Sequence, residues 1–470
     1  MRISELRTLS LRQIGMQIRE GKTTSSEITR LLLEQIHRTD GRLRAYVTVC
    51  EEGALKQAEI ADLQLKAGHD LGVLHGIPVS VKDLFETEGV RTTCGSKLMQ
   101  DYIPKSDCTV VKRLKQEGAI LLGKTNTHEF ALGAITPPTR NPWDLNRIPG
   151  GSSGGSAASI AACSSIAATG SDTGGSIRIP CSFCGVVGFK PTYGRVSRAG
   201  VFPESWSLDH VGPITRSVED MALMLGVIAG RDELDPTSSG ESVPDYLRQV
   251  GEAISGLRVG VPTNYFYERC NKEVDESVQS AIGLLSQLGC HRVDFEFPRT
   301  AEILAAHIAI DQSESSAYHK DSLARRASDF QPDVRLLLEQ GLFIPAVYYI
   351  EAQRFRGLII RQVMKLFERF DVMVTPTQPM TAPLVGEQKV KFADAEETVD
   401  SAVSRFDAPF NLLGLPALTV PCGFSNAGLP IGMQIIGRAF DESTVLRVGY
   451  AYESATDWHS RFPNITSNSM

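Results

Sequence analysis

Between Gly150 and Ser176 the chain sets two serines in two separate glycine-rich turns, and this stretch constrains what the protein can be more than any other. The first turn reads Gly150-Gly151-Ser152-Ser153-Gly154-Gly155-Ser156, the second Ser171-Asp172-Thr173-Gly174-Gly175-Ser176. Glycine is needed where the backbone takes a positive φ, or where N–H groups must approach a ligand with no Cβ in the way. Both demands arise around a nucleophile in acyl transfer. A flexible surface loop would account for the composition, but such a loop is seldom followed at once by Ala/Ser/Ile helix residues and a second Gly-Gly-Ser turn.

Because Ser176 follows Asp172-Thr173-Gly174-Gly175, several consecutive N–H groups can point at one spot beside it. Such a nest is an oxyanion hole, from which the loss of one donor costs about 100- to 1000-fold in rate. A serine is a weak nucleophile and needs a base. Lys82 is the candidate, at the end of the apolar run Ile77-Pro78-Val79-Ser80-Val81. A lysine there is poorly solvated when charged, so burial lowers its pKa and can leave a neutral amine. The local residues equally allow a structural lysine paired with Asp83.

Two look-alike motifs lead elsewhere. Gly118 to Thr125 satisfies G-x-x-x-x-G-K-[ST], but a phosphate-cradling loop follows its strand, and here the four middle residues are apolar and read as the strand itself. Gly151-Ser152-Ser153-Gly154-Gly155 contains the G-x-S-x-G of a nucleophile elbow, which requires a buried strand just before it and acid and histidine partners downstream. Pro149 spoils that strand, and His210, His291 and His459 sit in no distinctive setting.

The first seventy residues read as helices, with Thr24-x-x-Glu27 as a capping box and Ile28, Leu31, Leu32 and Ile36 on one face. From Leu74 onward, strands alternate with helix-length segments: Ile77 to Val81, Ala119 to Leu122, Leu257 to Val261, Val293 to Phe297, Val372 to Val374, Ala417 to Val420 and Gly432 to Ile436. That grammar predicts an α/β fold over 1–470 as a single large domain, with a mixed, mostly parallel sheet covered by helices on both faces. A helical insertion at about 300–355 is expected to roof a pocket.

The net charge of −7 comes without a basic stripe, which argues against direct nucleic-acid binding, and no stretch approaches the roughly 18 apolar residues of a membrane span. Nine cysteines at irregular spacing suit reduced thiols in the cytoplasm. Cys181-x-x-Cys184 lacks a second ligand pair nearby, so packing is expected there and no metal.

Lys82 in its strand, the loop from Gly150 to Ser156, Ser176 in its turn, and Ile177-Arg178-Ile179-Pro180-Cys181-Ser182-Phe183-Cys184-Gly185 together resemble the amidase signature family. The match continues through Gly188 to Thr192 and Gly194 to Ser197 and resumes at Pro409 to Gly437. The resemblance implies a Ser–cis-Ser–Lys triad in which Ser176 attacks the amide carbonyl, Ser152 bridges, and neutral Lys82 takes the proton. It implies an oxyanion hole from the N–H groups of Thr173, Gly174, Gly175 and Ser176, with Ser153 supporting Lys82 and Asp172 shaping the turn. The implied reaction passes through an acyl-enzyme, cleaves a small-molecule amide, needs no metal or organic cofactor, and belongs to a homodimer.

Within this resemblance the rival reading is the glutaminase (A) subunit of a tRNA-dependent amidotransferase, suggested by Asn141 to Leu145 and Lys190 to Ser197. That subunit holds glutamine with an arginine and an aspartate. Arg356 falls at the arginine position, but Ser404 falls at that of the aspartate and cannot pair with an α-ammonium group, leaving Asp400 or Asp407 to compensate. The segment Val201 to His210 and the ending Trp458-His459 look more like the stand-alone amidases, so a free-standing amide hydrolase is the expected function.

Overall fold

The computed structural model describes residues 1–393 and 395–465. Its strands, in chain order, are β1 Tyr46–Val49, β2 Pro78–Lys82, β3 Ile120–Thr125, β4 Ala167–Asp172, β5 Val187–Lys190, β6 His210–Thr215, β7 Arg258–Pro262, β8 His291–Phe295, β9 Val372–Pro376, β10 Lys389–Lys391, β11 Glu396–Thr398, β12 Ala417–Phe424 and β13 Pro430–Gly437. Strands β10 and β11 form a hairpin of their own. The other eleven make one sheet in the order β1-β3-β2-β4-β6-β5-β12-β13-β9-β7-β8.

This is the large mixed sheet flanked by helices that the alternation of segments implies. Parallel pairing is confined to the two flanks, β3-β2-β4 and β9-β7-β8. The middle, from β4 to β9, is antiparallel throughout, so the sheet is less parallel than the sequence suggests. Strand order is set by contacts far apart in the chain, and local alternation does not report it. The seven strands read from the sequence are all present.

The N-terminal helices interlock as their caps dictate. Helix Ser25–Leu43 opens on Thr24, whose side chain accepts from the Glu27 N–H while the Glu27 carboxylate accepts from the Thr24 N–H. One strand, β1, interrupts this helical region and pairs antiparallel with β3 at the sheet edge. Its Tyr-Val-Thr-Val sequence is rich in β-branched and aromatic residues and favours a pleated surface.

Every residue of β2, β3 and β4 is buried. Because β2 and β4 run parallel in register at Val79↔Ala167 and Ser80↔Ala168, their carboxyl ends lie side by side and deliver Lys82 and Ser171 to the same edge. Between β8 and β9 the chain leaves the sheet as helices Thr300–Arg326, Pro332–Gly341 and Ala346–Leu366, a helical stretch that continues past the predicted end near 355.

Candidate active site

Lys82 is completely buried at the end of β2, and its amine lies 2.8 Å from Ser152 Oγ, 3.0 Å from Ser153 Oγ and 2.8 Å from Ser171 Oγ. Asp83, the other partner considered for it, instead accepts from the Thr93 N–H and hydroxyl and faces the Lys124 amine at 3.8 Å. Burial pulls the Lys82 pKa down to about 7, opposed in part by the charges of Glu204, Asp172 and Asp209.

The surrounding hydroxyls assign the amine's protons. Ser153 donates its own hydroxyl hydrogen to the Ser171 carbonyl at 3.1 Å, so toward Lys82 it acts as an acceptor. The neutral amine then keeps its lone pair for a hydroxyl that has a proton to give, Ser152 or Ser171. Ser171 is a partner that sequence reading missed. It follows Lys82 into the site through the parallel register of β2 and β4, and nothing local marks it.

The Gly151–Ser152 peptide bond is cis. Helix Gly154–Ala161 starts directly after Ser153 and is buried along its whole length. A Cβ on Gly155 would stand 2.5 Å from the Ala45 carbonyl oxygen and from the Asn126 nitrogen, so glycine is what lets this helix sit against the sheet. The Ser176 carbonyl accepts from the Ser153 N–H at 3.0 Å, which ties the two serine turns together.

Asp172 organises the second turn. Its carboxylate accepts from the N–H groups of Gly175 at 2.9 Å and Ile177 at 3.1 Å, from Asn411 Nδ2 at 2.8 Å, and from Arg178 Nε and Nη2 at 3.1 and 3.0 Å. Burial alone would raise this carboxyl, but Arg178 holds it well below the ordinary carboxylate range. Arg178, fully buried, also reaches Gln434 and Asn411. Its role was missed, although an arginine inside the apolar run Ile177-Arg178-Ile179-Pro180 was a visible signal for a buried ion pair.

With the Gly175 N–H committed to Asp172, the N–H groups of Thr173, Gly174 and Ser176 are the ones without a partner among the described residues. Gly175 itself has φ +126°, and a Cβ there would meet the Asp407 Cβ at 2.7 Å. Ser176 faces a cavity of about 370 Å³, and its hydroxyl makes no hydrogen bond among the described residues. Helix Thr300–Arg326 supplies Leu304, His307, Ile308 and Asp311 to that cavity, and helix Pro332–Gly341 supplies Asp333, Leu336 and Leu337.

Of the histidines weighed for an elbow, none lines this cavity. The two that do are His128, 3.0 Å from Asp333 Oδ2, and His307, whose Nε2 donates to the Thr173 carbonyl at 2.9 Å. Burial lowers the His307 pKa to about 4, so its ring is neutral and cannot serve as a cation.

The residues expected to hold substrate are only partly assembled. Ser404 and Asp400 line the cavity. Asp407 lies fully buried beneath it, 3.1 Å from the Arg178 guanidinium and accepting from Gln378 at 2.6 Å. Arg356 is not among the lining residues; it donates to the Leu412 carbonyl at 2.8 Å and stacks on Tyr193.

The Amidase family matches residues 27–446, and the chain belongs to this amidase signature family. It is 46% identical over 465 residues to an amidase of Pseudomonas putida, covering 98% of this chain and 99% of that one. It is also 43% identical over 489 residues to the A subunit of glutamyl-tRNA(Gln) amidotransferase from a Roseiflexus strain, covering 98% and 99% of the two chains. A solved structure from a vestigial protein complex, described as revealing the evolutionary origins of an s-triazine catabolic enzyme, superposes with a TM-score of 0.91. That chain is 36% identical, with 95% of this chain and 98% of the other covered.

Proposed function

We propose that this protein is a free-standing amide hydrolase, in which Ser176 is the nucleophile, Ser152 the proton bridge and Lys82 the base. The observation that carries the reading is the Lys82 amine, buried and pulled to a pKa of about 7, within 2.8 Å of the Ser152 hydroxyl. Ser152 gives its proton to Lys82 as it takes one from Ser176, whose Oγ forms the new bond to the amide carbon. The oxyanion is received by the free N–H groups at Thr173, Gly174 and Ser176. The C–N bond breaks as the departing nitrogen recovers the proton through Ser152, which leaves an acyl-enzyme. Water then adds to the ester, its proton following the same path to Lys82; Ser176 is released and a carboxylate remains.

The substrate class is a small linear carboxamide. Asp407 is engaged by Arg178, and Ser404 brings no charge to the cavity wall, which favours a hydrolase over a glutamine-specific subunit. The second reading, the glutaminase (A) subunit of an amidotransferase, is supported by the 43% identity and by Asp400 on the wall. Ammonia release by the purified chain alone, over a panel of primary amides and glutamine, separates the two. The expected result is turnover of simple amides without preference for glutamine, and fluorophosphonate labelling that maps to Ser176. Strict dependence on an added partner, with glutamine as best substrate, selects the amidotransferase reading.

A further inference from the structure

Four acidic side chains converge where the loop 201–210 meets helix Thr300–Arg326, and they divide into two kinds. Asp209 accepts from the Thr173 hydroxyl at 2.6 Å and from the N–H groups of Ser205 and Glu204 at 3.0 Å each. Glu314 accepts from the hydroxyls of Ser205, Ser207 and Tyr349 and from the Ser207 N–H. Glu314 holds the loop on the helix, and Asp209 ties it to the Thr173 turn. Glu204 Oε2 and Asp311 Oδ1, by contrast, are buried with no hydrogen-bond partner, although the Thr173 and Ser315 hydroxyls stand beside the two carboxyls, and both residues line the cavity that contains Ser176. Glu204 is only 8% exposed.

The backbone leaves Glu204 little freedom to look elsewhere. Its N–H is held by Asp209, and its carbonyl accepts from Ser315 Oγ at 3.0 Å. The same hydroxyl lies 2.7 Å from the carbonyl of Asp311, one turn earlier on the helix, so Ser315 brings the Glu204 loop alongside Asp311. One further turn back is His307, bonded to the oxyanion turn at Thr173. Residues four apart on a helix are about 5–6 Å apart at Cβ, which puts Asp311 about one turn from His307 and the turn it bonds. The cavity's other acids add to the negative field: Asp333 and Asp400 line it, while the guanidinium of Arg405 is already paired with Glu397 at 3.2 Å.

We infer that Glu204 and Asp311 form a cation-binding subsite, and that the preferred substrates are short amides bearing a protonated amine near the scissile carbonyl. A primary ammonium supplies the N–H donors that both buried oxygens lack and brings the charge that the wall lacks. Burial, with the neighbouring carboxylates, pushes Glu204 well above the usual carboxylate range and Asp311 up to about 7; a bound cation relieves that repulsion. This rests on the reading of Ser176 as the nucleophile of an amide hydrolase.

The test compares alaninamide with isobutyramide, two amides of one shape that differ in an ammonium against a methyl group. For the full-length wild-type chain at neutral pH, kcat/KM should favour alaninamide by about 10- to 100-fold, the worth of a charged hydrogen bond. In Glu204→Gln and in Asp311→Asn that ratio should collapse toward one. Should either variant fold poorly, the wild type still decides the matter, because n-propylammonium should inhibit competitively and n-propanol should not. A chain that takes the fluorophosphonate label at Ser176 but cleaves both amides equally, or is inhibited equally by both propyl compounds, overturns the subsite and leaves the hydrolase standing. A chain that neither takes the label nor cleaves any amide overturns both.

Discussion

The floor of the cavity and its helical roof are built to different rules. Around Asp172, three backbone N–H groups, Arg178 and Asn411 all converge on one carboxylate. The roof leaves Asp311 short of a donor and exposes large apolar side chains, with Phe343 at 84% and Val347 at 59%. The floor satisfies its central carboxylate with protein donors, whereas the roof carries an acid with an unpartnered oxygen.

That contrast is broken most severely at the proposed nucleophile. Ser176→Ala should lower kcat by about 10⁴- to 10⁶-fold, as loss of a nucleophile does in other serine hydrolases, with an unchanged thermal melt. Ser152→Ala should be nearly as damaging. Equal turnover by wild type and the Ser176 variant, alongside a dead Ser153→Ala, would restore the elbow reading.

Next in size is the pH dependence set by Lys82. As the proposed base its amine works only when neutral, so single-turnover acylation should rise with pH through about 7 and level off above it, where an exposed lysine would titrate near 10.4. Lys82→Ala should remove that limb with about 10²- to 10⁴-fold of the rate. Lys82→Arg should not rescue it, because guanidinium stays protonated. An unchanged profile in Lys82→Ala would make some other group the base.

The smallest effects sharpen the comparison in stability. Arg178→Met strands the buried carboxylates of Asp172 and Asp407 and should cost about 3–5 kcal/mol in denaturant unfolding, whereas Phe343→Ser on the roof should stay within about 0.5 kcal/mol. Similar losses in both would erase the distinction between floor and roof.

The floor was largely legible in the sequence, because its parts are short contiguous turns whose glycines and serines announce themselves. Lys82 was found by its place at the end of an apolar strand, but the residues alone did not separate an amine facing hydroxyls from a structural lysine beside Asp83. β4, which carries Ser171 and Asp172, went unread: Ala-Ala-Thr-Gly-Ser-Asp has almost none of the branched or aromatic residues that signal a strand. Its strand character comes from the neighbours that sandwich it. The roof's helices and their place over a pocket were readable, but Glu204 and Asp311 lie 107 residues apart (311 − 204), and no local pattern reports that the loop 201–210 packs on helix Thr300–Arg326. The antiparallel middle of the sheet was hidden for the same reason.

The roof is also a piece of topology. Strands β8 and β9 both run parallel to β7, on opposite sides of it, so the chain must travel back the full length of the sheet between Phe295 and Val372. Such a return is obligatory in any parallel pairing and already requires a dozen or more residues. Closure entropy grows only logarithmically with the length of a connection, so each doubling costs about 0.6 kcal/mol more. A journey the strands impose anyway can thus be lengthened and re-sequenced at small thermodynamic cost, which leaves the lining of the cavity open to evolutionary revision while the ends of β2 and β4 stay where they are.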